Sequence, residues 1–178
     1  MRPKQIMKGI KKNVRGLRLL PFYLFTLFLL TIACSSIDCP VQNVVATVYG
    51  ARKPDGKVDT LKDTLSVVIR NIKGKDTTLL DNSTNTTKFQ LPISYNNPED
   101  TLVFIFKNKV GTYKDTLYVK KDNMPIFESV DCKISYFHTI KGVRLSSHNR
   151  IDSVSIVKTA VNYDILSEHF YIYFKANR

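Results

Sequence analysis

Residues 42–178 are predicted to form an all-β domain, an antiparallel sandwich of two sheets that follows an N-terminal signal helix. Short segments rich in β-branched and aromatic residues recur between turn residues, which is the pattern of strands. No stretch of this region keeps helical periodicity for three turns, and about 145 residues after the leader suit one domain. Eight or nine strands at this spacing fit an immunoglobulin-like sandwich, and a barrel is the alternative.

The predicted strands follow one another at short intervals. The first, 42–49, ends at Gly50, and Pro54-Asp55-Gly56 marks a turn because proline presets its own φ and glycine tolerates unusual backbone angles. The later segments, each bounded by turn residues, are 65–72, 77–80, 89–93, 101–106, 115–119, 134–140, 153–158 and 169–175.

Two of these segments indicate their own place in the sheets. Residues 101–106 (TLVFIF) are apolar on both faces, which is typical of a strand in the middle of a core. Asn108-Lys109-Val110-Gly111 then predicts a hairpin into 115–119. Pro92 interrupts 89–93, as at an edge strand or a bend.

The first 33 residues have the three parts of a secretory signal. Residues 1–20 carry seven basic residues and no acid, 19–33 form an apolar run, and small residues follow at the boundary. This apolar run is shorter than the roughly 20 residues that a spanning helix needs. We therefore expect 1–33 to be removed as a signal peptide, and the alternative is a retained inner-membrane anchor.

The boundary itself, Thr31-Ile32-Ala33-Cys34, resembles a bacterial lipobox, whose cysteine is acylated and becomes the first mature residue. Ala33 fits, whereas Thr31 stands where leucine is usual, as in the relaxed lipoboxes of Bacteroidetes. We predict a membrane-bound protein with lipid on Cys34 and a short tether at 34–41. Because no acidic run follows Cys34, we expect an outer-membrane lipoprotein that faces the periplasm. The alternative is a free thiol at Cys34.

The formal charge of +12 overstates how basic the mature protein is. The leader contributes seven basic residues, so the remaining chain has 20 basic and 15 acidic residues, a balance of +5. These lysines and arginines are scattered rather than clustered. We therefore expect no nucleic-acid partner.

Two cysteines remain after lipidation, Cys39 and Cys132. An even pair in an oxidising compartment predicts a disulfide. It would join the first mature segment to the second half of the domain. The alternative is two reduced, buried thiols.

One motif recurs: an aspartate, then a hydroxyl residue, then a β-favouring residue. It resembles the acceptor motif of general O-glycosylation in Bacteroidetes, and the predicted acceptors are Thr60, Thr64, Thr77, Thr101, Thr116 and Ser153. The competing interpretation is structural, because aspartate favours turns and threonine favours strands.

The sequence contains no pattern that predicts catalysis or a cofactor. His138, His148 and His169 lack the spacing of metal ligands, and no glycine-rich phosphate loop or GxSxG turn is present. We therefore predict a non-catalytic protein without a metal or a cofactor. A metal-dependent hydrolase is the least favoured alternative.

The tyrosines suggest a different alternative, a carbohydrate-binding module. Tyr136, Tyr163, Tyr171 and Tyr173 would then form one aromatic face for a glycan. The competing interpretation is ordinary cross-strand packing on a sheet.

Several segments of the chain are similar to a family of small, uncharacterised Bacteroidetes lipoproteins, a domain of unknown function. The resemblance lies in 35–40 (SSIDCP), 125–132 (PIFESVDC), 136–144 (YFHTIKGVR), 151–154 (IDSV) and 168–175 (EHFYIYFK). It includes both cysteines of the predicted disulfide and implies no activity. Other members have additional histidines after the Gly-Val-Arg segment, whereas this chain has a lone His148. The predicted function is therefore an envelope lipoprotein that binds another envelope protein or a glycan.

Overall fold

A computed structural model of the chain describes residues 45–71 and 74–175, together with Pro21, Phe25 and Cys39. The chain divides into two compact units, Met1–Asp38 and Cys39–Arg178. Pro21 and Phe25 are helical, but the predicted cleavage boundary and Cys34 lie outside the described residues. In the described part of the chain, no helix is long and apolar enough to cross a membrane.

The described residues of the second unit form ten strands. These are β1 (Ala46–Arg52), β2 (Thr64–Ile69), β3 (Thr77–Ser83), β4 (Lys88–Pro92), β5 (Glu99–Lys107), β6 (Thr112–Ile126), β7 (Ser135–Leu145), β8 (Ile151–Ile156), β9 (Ala160–Val161) and β10 (Phe170–Phe174).

The strands make two packed sheets, which confirms the predicted all-β sandwich. One sheet has the order β4-β1-β10-β8 and the other β3-β2-β5-β6-β7-β9. This order differs from that of an immunoglobulin constant domain, whose four-stranded sheet holds its first, second, fifth and fourth strands. The β1–β10 pair is parallel rather than antiparallel. These two strands lie at opposite ends of the domain sequence, so no hairpin dictates their relative direction.

The core lies between the sheets and is rich in aromatic rings. Tyr49 of β1 is fully buried and stacks on Phe170 of β10 and on Phe89 of β4, with ring centroids 4.9 and 5.1 Å apart. Phe104 of β5 meets Tyr49 edge-on at 6.3 Å. As predicted from its two apolar faces, β5 lies inside its sheet, between β2 and β6.

The strand boundaries differ most at β6 and β7. The predicted segment 115–119 is the middle of a 15-residue strand, and the predicted 134–140 continues to Leu145. The polar run from Lys120 to Asn123 does not look like a strand, yet it pairs with β7. The register shifts there, with Lys141 as the additional residue on β7. The two-residue strand β9 was not predicted.

The predicted disulfide is present. Cys39, which precedes β1, is bonded to Cys132 in the loop between β6 and β7, and their Cα atoms are 5.5 Å apart. The bond closes a loop with a sequence separation of 93 residues. It thereby holds the beginning of the domain against the tip of the longest hairpin.

We expect the double variant Cys39→Ser/Cys132→Ser to lose about 4 kcal/mol of unfolding free energy, because closing so long a loop removes much entropy from the unfolded chain. Urea denaturation of the oxidised protein and the variant measures this difference. Cys34→Ser is the control and leaves the disulfide intact. Equal midpoints for the oxidised protein and the double variant would contradict the prediction.

Candidate functional site

Three aspartates of the repeated motif face the interior at the rim of the sandwich. Asp63, Asp100 and Asp115 are 3%, 3% and 0% exposed. The leucine two residues after each aspartate is also buried, whereas the intervening threonine is only half-buried. Because side chains alternate along a strand, each aspartate and leucine share the core face and each threonine takes the other. The motif therefore has a packing role at these three positions.

At one end of the sandwich, two of these carboxylates hold the segment that leads into β8. Asp115 accepts hydrogen bonds of 2.7 Å from the backbone N–H groups of Asn149, Arg150 and Ile151. Arg150 also donates from Nε and Nη2 to Oδ2 of Asp63, both at 2.7 Å. Charge-assisted bonds of this kind compensate for burying the carboxylates.

At the other end, Asp100 forms an ion pair with Lys121, whose side chain has no exposed surface. The Nζ atom of Lys121 lies 2.9 Å from Asp100 Oδ1, 2.9 Å from the carbonyl oxygen of Asn97 and 3.4 Å from Ser94 Oγ. Ser94 donates to Asp100 from both its backbone N–H and its hydroxyl. The β4–β5 loop is thus fixed to β6. Sequence reasoning missed this cluster, although Lys121 is in phase with the inward-facing Leu117 and Val119.

Two opposing influences act on the pKa of Lys121. A lysine acts as a base when it has lost a proton, and burial does lower the pKa of Lys121. Asp100 opposes this shift through its charge and its hydrogen bond. The three contacts of Nζ also engage all three of its donors. These contacts therefore hold the Lys121 side chain in place.

His138 pairs across the strands with Asn123, with Nδ1 and Oδ1 2.7 Å apart. The Asn123 amide donates to two carbonyl groups of the β4–β5 loop, so its oxygen is the acceptor and His138 Nδ1 donates. Burial lowers the pKa of His138 to about 4, and the charge of Lys121 contributes in the same direction. His138 is therefore neutral at physiological pH.

The other two histidines have separate environments. His169 is fully buried; its Nδ1 accepts from the N–H of Val48 at 3.1 Å, and Nε2 lies 3.2 Å from the carbonyl of Ala160, so the ring links the two sheets. His148 is exposed and contacts the carbonyl of Asp152. Within 45–71 and 74–175, no three His, Cys, Asp or Glu side chains are grouped so that they could hold a metal ion.

A cleft of about 550 Å³ lies at the end of the sandwich where β1 and β10 terminate. Its lining combines apolar and charged side chains: Pro54, Leu61 and Phe174 with the bases Lys53, Lys62, Arg150 and Lys175 and the acids Asp55 and Asp59. Because Cys39 precedes the start of β1, this cleft lies at the end of β1 remote from the disulfide-linked segment. Apolar walls with a few charged groups can take part in recognition.

The four tyrosines do not form the single face that the carbohydrate-binding alternative requires. Tyr136 lies on β7 of the six-stranded sheet, and Tyr163 lies in the loop after β9, where its hydroxyl contacts Ser135. Tyr171 and Tyr173 lie on β10 of the other sheet. The Arg52 guanidinium covers Tyr171, 4.5 Å from the ring centroid. Tyr171 and Tyr173 alternate with the buried Phe170 and Ile172 and so face outward, whereas Tyr136 is in phase with the buried His138 and stacks on Tyr95, with ring centroids 4.8 Å apart.

The predicted acceptor hydroxyls differ in how accessible they are. Thr77 and Ser153 are exposed, whereas the remaining four are half-buried: Thr60, Thr64, Thr101 and Thr116. Their O-glycosylation stays a prediction. The predicted lipidation site, Cys34, lies outside the described residues.

Residues 64–174 match DUF6452, a family of unknown function. The chain belongs to this family. The matched region runs from the beginning of β2 to the end of β10 and includes Cys132 and the Asp100–Lys121 pair, while β1 and Cys39 precede it. No curated protein and no solved structure matches the chain.

We expect the buried Asp100–Lys121 pair to be strongly non-additive on mutation. Lys121→Met or Asp100→Asn alone leaves its partner buried without a counter-charge and should cost about 3 to 5 kcal/mol of stability. The double variant should cost far less than the sum. Urea denaturation measures all four states of the cycle. The exposed pair Lys141–Asp122 is the matched control, with a coupling expected below about 1 kcal/mol. Additive effects of the Asp100 and Lys121 mutations would show that the two residues are not energetically coupled.

We also expect stability to fall as the pH is lowered from 7 to 5. His138 has a pKa of about 4 when folded against 6.5 in its ordinary state, so the unfolded chain takes up the proton first. The contribution of His138 to the free energy of unfolding is complete above pH 6.5 and is lost as the pH falls toward 4. The loss between pH 7 and 5 is at most about 2 kcal/mol. His169, whose pKa burial also lowers, acts in the same direction.

Urea denaturation at pH 7, 6 and 5 tests this pH dependence. His138→Asn should make the slope of stability against pH shallower. The exposed His148→Asn should leave the slope unchanged. If the wild type and His138→Asn show the same slope, His138 does not cause the pH dependence.

Proposed function

We propose that this protein is a non-catalytic lipoprotein of the bacterial cell envelope, with acyl chains on Cys34, and that it binds another envelope protein or a glycan. The observation that carries the proposal is the disulfide between Cys39 and Cys132. Disulfides persist in oxidising compartments such as the periplasm. This one begins five residues after the cysteine of a lipobox-like sequence that follows a secretory leader.

The distance along the chain supports a body held close to a membrane. Five residues from Cys34 to Cys39 span at most about 18 Å. A protein with this connection has no long stalk. A periplasm-facing outer-membrane location and a relationship to the small lipoproteins of Bacteroidetes are part of the same proposal, and they rest on the relaxed lipobox and on the lack of an acidic run after Cys34.

The internal polar clusters support a binding role over a catalytic one. In the part of the chain that the structure describes, every buried side-chain N or O atom has a hydrogen-bond partner. The Asp100–Lys121 and Asp63–Arg150 ion pairs hold loops and strand ends, so these charges stabilise the fold. The cleft remote from the disulfide offers the partner an apolar wall bordered by lysines and by Asp55 and Asp59.

Intact-mass analysis of the full chain, expressed in a bacterium and extracted from membranes with detergent, tests the proposal. We expect the mass of residues 34–178 plus acyl chains. Two thiols should become reactive only after reduction, since Cys34 carries lipid and the other two cysteines are bonded. The variant Cys34→Ser should carry no acyl mass while it keeps both reducible thiols.

Three other outcomes have distinct meanings. An unlipidated mass of all 178 residues would overturn the proposal and indicate an uncleaved anchor. A mature mass without acyl chains, together with a third reactive thiol, would indicate ordinary secretion. Additional sugar-sized mass would show that some of the predicted hydroxyl acceptors are used.

A further inference from the structure

The loop between β6 and β7, residues 127–134, exposes large apolar side chains close together. Phe127 is 69% exposed, Val130 85% and Ile134 52%. Ile126 pairs with Ser135, so Phe127 and Ile134 leave the hairpin side by side. Single exposed apolar residues are ordinary on a protein surface, whereas grouped ones are found at contact surfaces.

The loop is held in place and projects from the sandwich. β5 pairs with β6 only as far as Lys120, and from Lys121 to Ile126 the described partner of β6 is β7. The disulfide fixes Cys132, and the hydroxyl of Tyr163 donates to Glu128 at 2.8 Å. The three apolar side chains are therefore displayed at the tip of a constrained hairpin.

The disulfide connection to the N-terminal segment indicates which surface this tip contacts. Cys132 is bonded to Cys39, and Cys39 is at most about 18 Å along the chain from Cys34. Acyl chains on Cys34 would therefore keep the tip within reach of the lipid headgroups. The apolar side chains of an interfacial segment are buried roughly 5 to 10 Å into this zone.

We infer that the β6–β7 loop inserts Phe127, Val130 and Ile134 into the surface of a phospholipid bilayer; this inference rests on the proposed lipidation of Cys34. The loop carries two acids and one base, Glu128, Asp131 and Lys133. With a net charge of −1 it gains nothing from anionic lipids, so apolar burial carries the contact. The loop therefore suits the surface of a zwitterionic bilayer.

The absence of tryptophan from the chain allows a direct test. Phe127→Trp places a single indole at the tip, and Val110→Trp places one in the β5–β6 turn, where Val110 is 84% exposed. The two positions lie at opposite ends of the 15-residue β6, roughly 45 Å apart along the strand. The lipidated mature product of each variant, residues 34–178, is reconstituted into phosphatidylethanolamine–phosphatidylcholine vesicles, with and without brominated chains. Its acyl mass is verified in the same sample.

We expect the indole at position 127 to show blue-shifted emission that brominated lipid quenches, and the indole at position 110 to show neither effect. Replacing part of the zwitterionic lipid by phosphatidylglycerol should not increase the quenching. Lipidated protein in which position 127 stays unquenched would overturn the loop insertion alone and leave the proposed function standing. Equal quenching at both positions would also overturn it. Absence of the acyl mass would overturn both proposals, because nothing would then hold the loop at the bilayer.

Discussion

Three carboxylates face inward at the rim of this sandwich, and the arrangement of the loops follows from the need to neutralise them. A buried charge is costly unless it is paired and hydrogen-bonded. Asp63 and Asp115 meet this requirement with Arg150 and with backbone N–H groups at the start of β8, and Asp100 meets it with Lys121 and Ser94. The segments that supply these donors are therefore fixed in position by the same interactions.

The two ends of the sandwich consequently have different structures. At one end, Asp63 and Asp115 fix the segment that leads into β8 beside a cleft with apolar and charged walls. Toward the other end, the Asp100–Lys121 pair holds the β4–β5 loop, and β6 and β7 continue beyond β5 to the disulfide. The cleft and the disulfide-linked hairpin therefore lie at opposite ends of the sandwich.

The sequence predicts best those features that depend on local pattern. The two apolar faces of 101–106 indicated a central strand, and β5 is one. The polar run Lys120–Asn123 hid the second half of β6, because alternation there places a charged side chain, Lys121, on the core face. Its partner Asp100 lies on another strand. The ion pair that compensates for burying Lys121 therefore cannot be predicted from the local sequence. The parallel pairing of β1 with β10 is likewise a long-range feature.

The repeated motif illustrates how one sequence pattern can carry two separate constraints. Where the aspartate is buried, as at Asp63, Asp100 and Asp115, packing explains its presence, and the threonine that follows is free to face outward. The hydroxyls of Thr77 and Ser153 are exposed, and the aspartate before each of them is exposed as well. Core packing gives no reason for the motif at these two positions. A modifying enzyme also reaches an exposed hydroxyl more easily than a half-buried one. At Thr77 the turn offers an explanation of its own, because the Asp76 carboxylate accepts a hydrogen bond of 3.2 Å from the Asn71 N–H just before β3 begins. O-glycosylation of Thr77 and Ser153 stays a prediction.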